Sequence, residues 1–207
     1  MGWTSGLLCI VMLIASGRSQ LRPAQPNEKN REHREEPRLP VIDLNACPFE
    51  GCIFREWKVI KSSTVYSSWG DSRILIGKLK VGEHVVGLTG VHVTLTPDRV
   101  LVKHSIPDLG LNPGDVILRY MYLGEGHANI WVKGSWYKNE DCTFITEKNR
   151  SGCLRDCSAI VTQVGVKEWW VKVKLKDGRI GWVLSSGNFV GMDQFAKLTR
   201  KSELINT

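Results

Sequence analysis

The chain has no apolar run long enough to cross a bilayer. A spanning helix needs about 20 residues, and the longest run here covers only residues 7–15. A helical channel or transporter is excluded on that ground. Common enzyme signatures are also missing. No His stands in a His-x-x-Glu-His spacing, no Gly-x-Ser-x-Gly elbow occurs, and Gly124-Glu125-Gly126 precedes neither Lys-Ser/Thr nor a helical period. That glycine pair reads as a tight turn between strands. His84, His92, His104 and His127 read as structural or solvated side chains, with His92, between Val91 and Val93, facing outward. No catalytic residue, cofactor or metal is expected. Helical periodicity is scarce too, confined to residues 192–198, where one short C-terminal helix is expected.

What is present describes a folded chain with an address at its front. The 42% hydrophobic and 24% charged content is that of a globular protein. Residues 7–15, followed by the small residues Ala15, Ser16 and Gly17, match a secretory signal peptide over 1–17. Secretion, or release into a periplasm, places the mature chain in an oxidising compartment, where Cys47, Cys52, Cys142, Cys153 and Cys157 should pair. Proximity favours Cys47–Cys52, and five cysteines leave one thiol over. A bridge from Cys142 to Cys153 or Cys157 would close a loop of about fifteen residues, worth roughly 3 kcal/mol on the chain-entropy model. A four-thiolate zinc site is the rival, but neither Cys47/Cys52 nor Cys153/Cys157 has the Cys-x2-Cys spacing of zinc ribbons.

Residues 18–46 mix acidic and basic side chains with Pro23, Pro26 and Pro37. That composition predicts a disordered linker, and its mixed signs argue against a nucleic-acid arm. Beyond Cys47, short β-branched and aromatic runs alternate with Gly, Pro and Asp. They predict strands at 57–61, 74–79, 84–88, 91–95, 99–103, 116–122, 130–133, 159–163, 169–175 and 179–184. Asp177-Gly178 marks a two-residue hairpin turn. Gly82-Glu83-His84-Val85 and Gly114-Asp115-Val116-Ile117 repeat one phrase, a glycine turn and an acid opening a strand. The expected fold is all-β, divided into units at 47–105 and 106–195, with 196–207 as a tail.

Thr64-Val65-Tyr66-Ser67-Ser68, followed by Ile74-Leu75-Ile76-Gly77-Lys78-Leu79 and Gly82-Glu83-His84-Val85, resembles the opening half of bacterial SH3-like (SH3b) domains. Trp169-Trp170-Val171-Lys172-Val173, Asp177-Gly178 and Gly181-Trp182-Val183 are similar to the closing half. Together they span about a third of the mature chain. The two halves stand further apart than one small barrel needs. The resemblance therefore implies two SH3-like barrels in tandem, the favoured arrangement, or one barrel with a long insertion from Val91 to Glu168. Residues 124–136 also resemble a stretch of secreted bacterial SH3-like proteins.

Such barrels are expected to be non-catalytic modules that hold extended peptides or wall glycopeptides in an aromatic groove. Candidate ligand-binding residues are Trp131, Trp136, Tyr137, Trp169, Trp170, Lys172 and Lys174. Trp169 and Trp170 are adjacent on a strand and so must face opposite ways. Trp170 and Trp136 are the foremost candidates for the groove. An exposed Trp170 would tolerate replacement by Ala with no loss of stability. The net charge of +7 lies mostly beyond residue 142 and includes Lys167, Lys172, Lys174, Lys176 and Arg179. Such a stripe attracts anionic polymers, although a solvated sheet face is its commoner meaning. The expected function is an exported binding module for a cell-wall peptide or glycan. A structural accessory protein that contacts another envelope protein is the alternative. Neither nucleic acid nor an integral membrane segment after signal cleavage is expected.

Overall fold

The computed structural model describes residues 31–33, 35–47, 49–147 and 157–194. The expected signal peptide (1–17), residues 18–30 of the linker, Cys153, the tail (196–207) and the helical stretch beyond Gln194 lie outside the described residues.

The described chain is nearly all strand, as expected. In order it forms β1 (Arg31–His33), β2 (Val41–Leu44), β3 (Glu56–Val59), β4 (Ser63–Tyr66), β5 (Leu75–Leu79), β6 (His84–Thr96) and β7 (Asp98–Val102). A 3-10 turn at Pro107–Leu109 follows, then β8 (Val116–Gly124), β9 (His127–Val132), β10 (Ser135–Asp141), β11 (Ile145–Thr146) and β12 (Ala159–Gln163). The last strands are β13 (Val166–Lys174), β14 (Ile180–Leu184) and β15 (Phe189–Val190). They build two curled half-barrel sheets, one ordered β1-β10-β9-β8-β7-β12-β11 and the other β15-β3-β6-β13-β14-β4-β5, with β2 also on β6.

The two barrel-like units are nested along the chain. Strands β7 to β12 all belong to the first sheet, yet in sequence they fall between β6 and β13 of the second. Those two strands pair from Thr96↔Val166 to Val86↔Lys174. We call the first sheet inserted and the second the carrier. Strands are therefore shared out at Pro97 and at Val164-Gly165 rather than at residue 105. Gly165 permits the return: a Cβ there would lie 2.1 Å from the Thr96 carbonyl oxygen, so the backbones could not approach so closely with any other residue.

Three local expectations change. The segments at 84–88 and 91–95 are one strand, because Gly90 does not break it. The missing side chain instead admits the Ala46 carbonyl, 2.1 Å from where a Cβ would stand, and the Ala46 amide donates to the Gly90 carbonyl at 3.0 Å. The hairpin at Asp177-Gly178 forms, but between Leu175 and Arg179. Its loop is the three residues Lys176-Asp177-Gly178, with Gly178 at φ 87°, the usual left-handed close of such loops. The expected linker is strand at 31–33 and 41–44. The short apolar run Val41-Ile42-Asp43-Leu44 was masked by the polar stretch before it; it pairs along β6 from Val41↔Thr94 to Leu44↔Val91.

Each sheet has its own core. Val100, Ile117, Ile130, Tyr137 and Val161 lead the inserted one; Trp57, Val65, Val85, Val171 and Phe189 lead the carrier. Burying each such side chain is worth roughly 1.5–3 kcal/mol. Cys47 and Cys52 form a disulfide, and Cys157 is also disulfide-bonded, its partner lying outside the described residues. Cys142 corrects the expected pairing. It is a free thiol buried in the inserted core, where desolvation, reinforced by the Glu140 charge, pushes its pKa up to about 12.

The sheets meet at Asp98. Its carboxylate accepts from Arg119 Nε at 2.8 Å, Lys167 Nζ at 2.6 Å and the Gly165 amide at 2.7 Å, while Arg119 also binds Glu147 at 2.7 Å. Burial pushes the Asp98 pKa up, but Lys167, Gly165 and Arg119 outweigh it and hold the carboxyl below its ordinary value. For the Lys167 ammonium burial prevails over the same contact, and its pKa is lowered.

Two outcomes follow. Asp98→Asn leaves Lys167 without its anion and Arg119 with Glu147 alone, and should cost about 3–5 kcal/mol, read by urea denaturation at neutral pH. Because the folded pKa lies below the unfolded one, the contribution is complete above the unfolded value of about 3.9. It disappears as pH falls through the folded value, so wild type and variant should converge in strong acid. Cys142 should resist thiol reagents at pH 8 in the native chain and react on unfolding.

Candidate binding cleft

The carrier sheet places Tyr66 of β4, Trp170 of β13 and Leu184 of β14 together, through the pairs Trp182↔Tyr66 and Trp170↔Leu184. They border a cleft of about 280 Å³. One wall is the stretch 61–64 entering β4. The other is Leu184, Ser186 and Asn188, and Arg73 and Glu168 complete the rim.

The floor is aromatic. Tyr66 and Trp170 meet edge to face at 5.8 Å and 74°. The Arg73 guanidinium lies 5.2 Å from the Trp170 ring centre and 5.7 Å from that of Tyr66, within cation–π range. Its Nη1 donates to the Gly70 carbonyl at 3.3 Å. The Trp170 indole N–H donates to Glu168 at 2.8 Å.

Buried Asn188 sets the walls. Its Nδ2 donates to Ser63 Oγ at 2.6 Å and to the Leu184 carbonyl at 3.1 Å, and its Oδ1 accepts from the Ser186 amide. Ser63 Oγ in turn donates to the Lys61 carbonyl at 2.8 Å, and Ser62 Oγ to that of Leu79 at 2.9 Å. The wall is thus fixed before any ligand arrives. The lining holds neither Cys nor His, and Glu168 is its sole carboxylate. Among the described residues no three His, Cys, Asp or Glu side chains converge as metal ligands. The arrangement offers shape, donors and positive charge to a bound molecule.

No family model, curated protein or solved structure matches this chain. Among the described residues, no helix is long and apolar enough to cross a membrane.

Of the aromatic residues singled out from the sequence, Trp170 alone reaches the cleft, and it is only 2% exposed. The expectation of an exposed groove tryptophan is corrected by packing on both sides of β13. Val171 and Val173 face the carrier core, while Trp170 is covered by Val91, Val93, Tyr66, Trp69 and Trp182. Trp136, 7% exposed, stands edge-on to Tyr120 at 4.8 Å. Tyr137, 4% exposed, lies in the inserted core. Trp131 packs half-buried beside Trp136, its indole N–H without a partner among the described residues. Trp169 packs half-buried against His92, ring centres 4.4 Å apart. Lys172 lies 5.8 Å over Trp182 and Lys174 is exposed; neither borders the cleft.

His92 is also corrected. It is 1% exposed rather than outward-facing: its cross-strand partners Asp43 on β2 and Trp169 on β13 flank it, and its Nδ1 is 3.4 Å from Asp43 Oδ2. Sequence reading missed Arg73, Ser63 and Asn188 as site residues. Nothing in their spacing marks them, although Tyr66 and Ser67 lie within the phrase that carries the resemblance. With Trp170 so deeply packed, Trp170→Ala should cost about 3–5 kcal/mol and lower the Tm in a thermal melt.

Proposed function

We propose that this protein is an exported, non-catalytic binding module of SH3-like type that takes a cell-wall peptide or glycan in the Tyr66–Arg73–Trp170 cleft. The carrying observation is the cleft itself: the half-buried Tyr66 ring, backed by buried Trp170, between walls of hydroxyl and amide groups held rigid by Asn188. Extended peptides and sugars are gripped by that combination, the apolar face stacking while the polar edge bonds the walls. Its volume of about 280 Å³ lies just below the usual small-molecule range of roughly 300–1,000 Å³, which suits a few peptide residues or one sugar. Two further features support export. The Cys47–Cys52 bridge fits an oxidising compartment, and residues 1–17 read as a signal peptide. The halves of the SH3b resemblance also come together in the carrier sheet, where β13 and β14 join β4 and β6.

The test is sedimentation of the mature chain with insoluble peptidoglycan at low and high salt. Wild type should be retained in both. Leu184→Trp, which fills the cleft from its exposed wall, should lose retention while keeping its Tm. Lys174→Gln, on the exposed charge stripe, should bind as wild type at high salt. Retention that vanishes in salt, or that Leu184→Trp leaves intact, would overturn the assignment.

A further inference from the structure

We infer that the cleft recognises its ligand through a carboxylate, with Arg73 as the anchor. The inference rests on the proposed reading of the cleft as a ligand site and gives that ligand its chemical class.

The first ground is charge. Lys61 and Arg73 border the cleft against one carboxylate, Glu168, and Glu168 already accepts from the Trp170 indole N–H. The second is the state of Arg73. Arg119 and Arg179 each bind a carboxylate, whereas Arg73, like Arg55 and Arg99, has no ion pair among the described residues, and of these three only Arg73 borders the cleft. Its side-chain hydrogen bond, 3.3 Å to the Gly70 carbonyl, is long. The third is orientation. Resting near Trp170 and Tyr66 holds the guanidinium beside the floor and leaves N–H groups for an incoming acceptor. A guanidinium offers its donors as a planar fork that matches the two oxygens of a carboxylate, and such charge-assisted pairs are about twice as strong as neutral ones.

Aromatic rings beside the cation also displace water from it, which strengthens the pair relative to one in bulk solvent. The carboxylate oxygens would lie on the Arg73 side, with Lys61 on the 61–64 wall adding a second positive charge at the cleft. The rest of the ligand would run over the half-buried Tyr66 ring. A peptide terminus and a sugar acid both present this group, and the probes below separate them.

The experiment uses the mature chain and two matched pairs followed by tryptophan fluorescence: N-acetyl-Ala-Ala and its C-terminal amide, and methyl glucuronoside and methyl glucoside. In at least one pair the acid should bind about tenfold or more tightly than its neutral partner. The responding pair identifies the source of the carboxylate. Arg73→Gln should remove the preference, and Arg73→Lys should keep part of it, since the charge remains without the fork. Arg73 is exposed, so both variants should retain the wild-type Tm.

Sedimentation with wall whose carboxyls have been amidated separates this inference from the reading beneath it. Retention on untreated and amidated wall alike, with no acid preference in either pair, overturns the carboxylate and leaves the wall site standing. No retention on untreated wall, with an Arg73-dependent acid preference, overturns the wall reading and sustains the carboxylate. An acid preference undiminished in Arg73→Gln overturns Arg73 as anchor.

Discussion

The Asp98 carboxylate fixes the two sheets to each other, and the placement of the cleft follows from it. Its donors come from β8, from the start of β13 and from the Gly165 turn between the units. Burying an anion with two cations is costly in desolvation, and such a cluster is tolerated only when its hydrogen-bonding positions are filled. Here the requirement for near-complete pairing restricts where β13 can begin. Lys167 binds Asp98, Glu168 follows it, and Trp170 lies three residues beyond Lys167. The floor of the cleft is thus set by an ion cluster that takes no part in lining it.

A second constraint is that the carrier sheet is covered on both sides. The inner face packs Trp57, Val171 and Phe189, and the outer face packs Trp170 with Val91 and Val93. Strand β2 adds to that covering, laying Asp43 beside His92. In a simple half-buried strand, alternation assigns one side to water. Along β13 no residue from Lys167 to Val173 is fully exposed; only Val166 and Lys174 at its ends are.

This explains what was legible in the sequence. Alternation and Gly-Asp punctuation revealed most of the strands and the all-β class, because both are local properties. The hairpin at Asp177-Gly178 was legible in place and off by one residue in length. Strand β1 is polar and leaves no apolar pattern, while β2, Val41-Ile42-Asp43-Leu44, is a short apolar run that the polar, proline-rich stretch before it masked. The burial of Trp170, Trp136 and His92 was hidden for a related reason: it depends on which elements lie over a strand, and adjacency in sequence carries no record of that. Arg73 and Asn188 come from loops more than a hundred residues apart, and only the curl of the sheet unites them.

The pairing of Thr96 with Val166 has a bearing on how such a chain tolerates its own design. Seen from the carrier sheet, everything between those residues is a hairpin loop whose ends are held at strand spacing. The entropy of closing a loop grows only slowly with its length, and here the loop offsets its own cost by folding around a separate core. A module that enters and leaves through one rung of a ladder is easily exchanged. Residues 98–163 could be shortened, replaced or lost, and the carrier would need only a turn across the same rung, with Lys167 relieved of its partner and β1 of its pairing with β10.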